Sequence, residues 1–160
     1  MVGGSDRPIG LAVHDRISKR LESGDGRSGS RRAKRPAKRN SVSDELLAQL
    51  HTVYVNIPKD IRVAMLSGEG EHFCAGLDLS EVSERTVTEG MSHSRAWHAC
   101  FDAIQYGPVP VIAVLHGAVV GGGLELASCA HIRVAEASAF YGLPEGTRGI
   151  FLGGGGSVRI

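Results

Sequence analysis

The stretch VPVIAVLHGAVVGGGLELASCAHIRVA, residues 109–135, limits the fold of this chain more than any other part of it. VPVIAVLHG is an apolar run of strand length that ends in glycine. Three consecutive glycines, Gly121 to Gly123, then open a run with helical character, GGLELASCA, and HIRVAE returns to strand character. A strand, a glycine turn, a helix and another strand in so little chain belong to an α/β architecture. No apolar run approaches the roughly 18 residues that a membrane span needs.

The same alternation extends upstream. SVSDELLAQLHTVYV offers Ser41 or Ser43 as a helix N-cap, acids in the first turn, and Leu46, Leu47, Leu50, Val53 and Tyr54 at helical spacing. IRVAMLSGEG reads as a short buried strand closed by a glycine turn. GMSHSRAWHACFDAIQYG reads as an amphipathic helix with Met91, Ala96, Trp97, Cys100, Phe101 and Ile104 on its inner side. With 42% hydrophobic residues in 160, one domain can bury a real core.

Charge divides the chain in two. Residues 1–40 carry 11 Lys/Arg against 4 Asp/Glu, and residues 41–160 carry 7 against 13. The basic part, HDRISKRLESGDGRSGSRRAKRPAKRN, has almost no apolar residues and no strand or helix period, so 1–40 is expected to be disordered or aberrant and 41–160 to be the folded core. GDGRSG inside it matches the dinucleotide-binding pattern by letters alone. It follows no buried strand and opens no helix, so it is a chance match. Met1 is followed by polar residues rather than a signal-peptide core, which points to the cytoplasm. Cys74, Cys100 and Cys129 form no CxxC, and the histidines form no HExxH, so no metal site and no disulfide are expected.

Two carboxylates stand out from their apolar surroundings. Glu125 lies two residues behind the triple glycine, and Glu145 lies 20 residues further on, in the Pro/Gly-rich turn FYGLPEGTRG. An ionised carboxylate is costly to bury, and its pKa rises until it neutralises. In front of Glu125, the first amides of the helix lack intrahelical acceptors, and glycine lets a ligand approach them. Gly121–Gly123 could therefore cradle an oxygen that gains negative charge. Close packing of helix on strand explains the same glycines, and the residues alone leave both readings open.

In combination, RPAKRNSVSDELL, GEGEHFCAGLDL, PVPVIAVLHGAVVGGGLELASCAHIRVA and FYGLPEGTRGIFLGGGGSVRI resemble the crotonase (enoyl-CoA hydratase/isomerase) superfamily over about residues 35–160. The resemblance implies a spiral of repeated ββα units, lacking here the C-terminal helical part, and an acyl-CoA thioester as substrate. Coenzyme A arrives as part of that substrate, so no separate cofactor is implied. The resemblance places an oxyanion hole at the amides of Leu77 and Gly122 and catalysis on Glu125 and Glu145. It places substrate contacts at Lys38, Arg39, Ser41, Ala75, Gly76, Asp78, Leu79, Gly121 and Pro144. A homotrimer or dimer of trimers is the assembly it implies for a full-length member.

Keeping both glutamates favours hydration of a 2-enoyl-CoA. Enoyl-CoA isomerisation and hydroxycinnamoyl-CoA hydratase-lyase activity stay open, because reactions in this superfamily change with few substitutions. The segment ahead of RPAKRN is basic and rich in Ser and Gly where the family begins with a strand pair, and the chain stops at Ile160. It is therefore expected to show little or no turnover by itself, and an inactive fragment is a third reading. The basic arm could instead neutralise nucleic-acid phosphates, but it has no interleaved aromatic residue for stacking and no recognisable motif, so nucleic acid is not the expected partner.

Overall fold

The computed structural model describes residues 11–15, 31–32 and 38–160. Its regular elements are β1 (Leu11–Asp15), β2 (Arg31–Arg32), α1 (Asp44–Val55), β3 (Ala64–Gly68), α2 (Val87–Gln105), β4 (Val111–Leu115), β5 (Ala118–Val120), α3 (Gly122–Ser128), β6 (Ile132–Ala135), β7 (Phe140–Gly142) and α4 (Gly156–Arg159). Short 3-10 turns at Leu79–Glu81 and Glu145–Arg148 join them.

The strands fall into two layers that advance in step. One sheet has the order β2-β1-β3-β4-β6, with β3, β4 and β6 parallel and β1 antiparallel to both β2 and β3. The other pairs β5 with β7 in parallel, and a bridge between Cys74 and Val119 carries it one chain segment further. Each repeat adds one strand to the larger sheet and the next to the smaller one: β4 then β5, β6 then β7. A helix or 3-10 turn follows each pair and returns the chain for the next step. This is the expected ββα spiral, an α/β fold.

Local sequence explains the helix ends. Of the two candidate caps, Ser43 is the one used, its hydroxyl accepting from the Leu46 amide at 3.2 Å. Thr86 and Glu89 form a reciprocal capping box at the start of α2. Leu46, Leu47, Leu50 and Tyr54 of α1 pack with Trp97, Cys100, Phe101 and Ile104 of α2 over Leu66, Val111 and Leu115 of the sheet. Burying each large apolar side chain contributes roughly 1.5–3 kcal/mol. Met91 and Ala96, expected on the inner side of α2, are exposed: Met91 lies in the first turns, ahead of the segment that reaches the core.

The strands β1 and β2 differ from the expectation of a disordered or aberrant N-terminal segment. β1 lies between β2 and β3, and β3 supplies it with backbone partners from Leu11↔Gly68 to Asp15↔Ala64. The remainder of residues 1–37, including the GDGRSG match, lies outside the described residues.

At the other end of the larger sheet β6 is an edge strand, and its residues are exposed throughout. Ile132 and Val134 on it, with Phe140 and Tyr141 on β7, are each more than half exposed. Apolar surface beside an open edge invites pairing with another copy. Light scattering of the purified chain is expected to show self-association, reduced several-fold by the pair Ile132→Lys and Val134→Lys with unchanged circular dichroism. A parent chain that stays monomeric at high concentration would contradict this.

Candidate active site

Val42 and Leu77 form an isolated parallel bridge, in which the Val42 amide donates to the Gly76 carbonyl at 2.7 Å and the Asp78 amide to the Val42 carbonyl at 2.8 Å. Residues 76 and 78 thus spend their groups on Val42, and the intervening Leu77 amide faces the other way. On that side lies Gly122, the first residue of α3, whose amide has no carbonyl one helical turn behind it. The two segments are in close contact. A Cβ built on Gly122 would lie 3.6 Å from the Leu77 nitrogen, and one on Gly76 would lie 3.5 Å from the Gly122 nitrogen.

Gly121 makes the turn into α3 at φ 54°, ψ −127°, a conformation that L side chains rarely adopt. A Cβ there would also lie 2.6 Å from Glu145 Oε1. The turn therefore favours glycine, and a side chain at this position would have to displace the Glu145 carboxylate. The ring of Trp97 covers the other side, with two ring carbons 2.9 Å from a Cβ built on Gly122.

Glu125 is buried, and its Oε1 accepts from the Gly154 amide at 2.9 Å and the Gly156 amide at 2.8 Å. Burial raises its pKa above the ordinary carboxylate range. The two amides and the more distant His98 oppose the rise, while the Glu145 charge adds to it. Glu145 opens the 3-10 turn after Pro144, and its Oε2 is buried with no hydrogen-bond partner among the described residues. Leu77, Gly122, Glu125 and Glu145 line one cavity of about 350 Å³, together with Trp97, Val82, Arg85, His93, Ile150 and Phe151.

The remaining expected contacts lie around the cavity rather than on its wall. Arg39 is exposed at φ 51°, and its carbonyl accepts from the Ala75 amide at 3.0 Å. Ser41 is buried, its amide donating to the Lys38 carbonyl, and Leu79 is half exposed in its 3-10 turn. Two structural features were missed in the sequence. One is Asn40, buried at φ 54°, whose Nδ2 donates to the carbonyls of Glu69 at 2.8 Å and His72 at 2.7 Å. Asparagine is the non-glycine residue that best tolerates this backbone, so its place between Arg39 and a helix cap was the available signal. The other is the Gly153–Gly156 run, whose lack of side chains signals close approach to the main chain.

The layered ββα core with backbone amides and two carboxylates at one cavity defines a crotonase-type fold, and comparison with known proteins gives the family. The family model for enoyl-CoA hydratase/isomerase matches residues 32–160, and the chain belongs to that family. Among similar proteins, the Bacillus subtilis protein YngF is 40% identical over 132 residues, covering 79% of this chain and 50% of its own length. The human enoyl-CoA hydratase domain-containing protein 2, mitochondrial, is 36% identical over 79% of this chain and 44% of its own. A solved structure from Rhodopseudomonas palustris CGA009 is 63% identical, with a TM-score of 0.77 over 79% of this chain and 49% of that one. The Bacillus anthracis enoyl-CoA hydratase structure is 35% identical with a TM-score of 0.72. The chain thus spans about half the length of these relatives. Among the described residues no helix is long and apolar enough to cross a membrane.

Lys38 Nζ donates to Asp78 Oδ2 at 2.8 Å and to Ser80 Oγ at 2.9 Å, and Asp78 is buried while Lys38 is 48% exposed. A phosphate contact by Lys38 would have to share this pair. Hydrogen bonds from Lys38 and Ser80 hold the Asp78 carboxyl well below the ordinary carboxylate range. A lowered folded-state pKa stabilises the fold above the unfolded value, near ~4, and that contribution disappears as pH falls toward the folded value. Lys38→Met is expected to lower stability at pH 7 by at most about 1 kcal/mol, because the lysine is half exposed and screened. In urea titrations the gap between parent and variant should close as the pH falls below ~4. A gap that persists unchanged at pH 3 would contradict this account.

Proposed function

We propose that this chain carries the catalytic half of a hydratase that adds water across the double bond of a 2-enoyl-CoA thioester. The observation that carries the reading is the meeting of Leu77, Gly122, Glu125 and Glu145 on one cavity. In it the Leu77 and Gly122 amides donate hydrogen bonds to the thioester oxygen. Polarising that carbonyl makes C3 electrophilic and places the developing negative charge on the oxygen, where each donor is worth roughly 3–4 kcal/mol in the transition state.

Glu125 and Glu145 hold the water between them. Glu125 takes a proton from the water as its oxygen bonds to C3. The C2–C3 π electrons pass to the enolate, and Glu145 delivers a proton to C2 as the carbonyl reforms. Exchange with solvent then moves the proton gained by Glu125 back to Glu145. The unpartnered Glu145 Oε2 supports this role, because a buried carboxylate oxygen without a protein donor is satisfied by a ligand or water. The raised pKa of Glu125 brings its proton affinity nearer to neutral pH, as a general base requires. Lys38, Arg39 and Ser41 lie toward the coenzyme A moiety. A homotrimer or dimer of trimers would cover the apolar surface of β6 and β7, and the cytoplasm is the proposed compartment.

The test uses this chain alone and a fusion that adds the remaining half from the Rhodopseudomonas palustris relative. In the fusion, Glu125→Gln and Glu145→Gln are each expected to lower hydration of a short 2-enoyl-CoA by at least ~10²-fold, with thioester affinity largely kept. The double variant should lose much less than the product of the single losses, because both groups serve one water. Normal turnover in both variants with reduced thermal stability would reduce the glutamates to structural groups. Migration of the double bond of a 3-enoyl-CoA without hydration would make the protein an isomerase.

A further inference from the structure

Arg159 takes no part in the chemistry proposed above, yet its guanidinium is engaged on three sides. Its Nε donates to Gln105 Oε1 at 2.6 Å, its Nη2 pairs with Asp102 Oδ1 at 2.7 Å, and its Nη1 donates to the Gly154 carbonyl at 2.8 Å. The Arg159 side chain is only 11% exposed. Asp102 and Gln105 are three residues apart on α2, whose Phe101 and Ile104 are fixed in the core, so the guanidinium is held by a rigid helix. Arginine suits this position because its planar fork presents several donors in fixed directions.

Gly154 is bound on both of its backbone groups. Its carbonyl accepts from Arg159 and its amide donates to Glu125 Oε1. It lies in a run of four glycines, 153–156, that has no side chains with which to anchor itself and that loses much conformational entropy when ordered. The fit around Glu125 is tight: a Cβ on Gly156 would lie 2.9 Å from Glu125 Cγ and Oε1. The run must be bare of side chains there and must also be held in place.

We propose that Arg159 is a positioning residue for Glu125: by clamping the Gly154 carbonyl to Asp102 and Gln105 of α2, it holds the Gly154 and Gly156 amides on one carboxylate oxygen and so fixes the direction of the other. The catalytic consequence rests on the function proposed above, whereas the clamp is a property of the fold and is read without turnover. The groups that act on the Glu125 carboxylate are Glu145 from the turn after Pro144, His98 from α2, and the two glycine amides. Arg159 acts through the peptide it holds.

The test is NMR on the chain labelled with ¹³C at glutamate side chains and ¹⁵N at amides. In the parent, the Gly154 and Gly156 amide resonances are expected to move with the Glu125 carboxylate as pH changes. In Arg159→Met they should cease to follow it, and Glu125 should titrate higher by on the order of one pH unit, because the charged form has lost fixed donors. Arg159→Lys keeps the charge without the three-sided grip and is expected to behave like the Met variant. Full restoration by lysine would assign the effect to charge and overturn the clamp, as would amides that still follow Glu125 in Arg159→Met.

Gln105→Met removes one anchor at constant charge and guards against an Arg159 variant that fails to fold. It should produce a smaller change in the same direction, and an unchanged spectrum at Gly154 and Gly156 would overturn the proposal. In the fusion protein, Arg159→Met should lower kcat at least tenfold with KM for the thioester nearly constant. Full activity in Glu125→Gln would sink the catalytic reading of Glu125 while leaving the NMR result to decide the clamp.

Discussion

A carboxylate buried beside a helix start, accepting two backbone amides from a glycine run 29 and 31 residues later, is the interaction on which this site depends. Burial alone would drive Glu125 toward its neutral form. The Gly154 and Gly156 amides oppose that, and they do so with main chain, which offers fixed donors but no bulk. One oxygen is thereby committed to structure, and the carboxylate plane is set relative to the cavity. Gly121, Gly154 and Gly156 all lie where a side chain would meet a carboxylate, Glu145 at the first and Glu125 at the other two. At these three positions the absence of a side chain lets main chain and carboxylate touch.

The spiral brings these parts together from distant sequence. Each repeat moves the larger sheet by one strand and the smaller by one, so the turn after Val120 and the turn after Gly142 fall side by side. The Gly121 amide donates to the Gly142 carbonyl at 2.8 Å, and this bond ties the two turns directly. Glu125 and Glu145 stand in corresponding places of successive repeats, each just beyond a strand of the smaller sheet. Their spacing of 20 residues is close to the length of one repeat. The pairing of the two acids therefore follows from the periodicity of the fold.

Much of this was legible in the sequence because it rests on local signals. Ser43, the Leu46–Leu47–Leu50 stripe and the buried run from Val111 to Leu115 announce their elements by period and cap. The two glutamates were visible as charges in apolar company, and the glycine turns as places where main chain is exposed. What escaped was non-local. Three residues of β5 and three of β7 are too short to show a period, and they become strands because each finds the other. Strand β1 similarly depends on β3 for its partners. Met91 obeys the helical spacing of α2, but the core does not extend far enough to receive it. Asn40 and Arg159 bind partners far away in sequence, backbone carbonyls among them, and their letters do not name those partners.

The two glutamates differ in their surroundings, and the roles proposed for them rest on that difference. Glu125 is fixed through Oε1 by two donors that favour its charged form, while its burial favours the neutral one. Glu145 has its Oε1 against the backbone of Gly121 and its Oε2 without a protein partner among the described residues. Groups in a shared apolar site whose surroundings differ do not exchange roles freely, because each proton distribution has its own energy. In the proposed reaction, the rigid, twice-anchored carboxylate suits orientation of a water, and the less constrained one suits a proton that must reach carbon. The source of the difference is the Gly153–Gly156 run, which reaches Glu125 and supplies its donors. A chain with the same two glutamates and a bulky residue at Gly156 would retain both acids but lose the asymmetry on which the proposed division of roles rests.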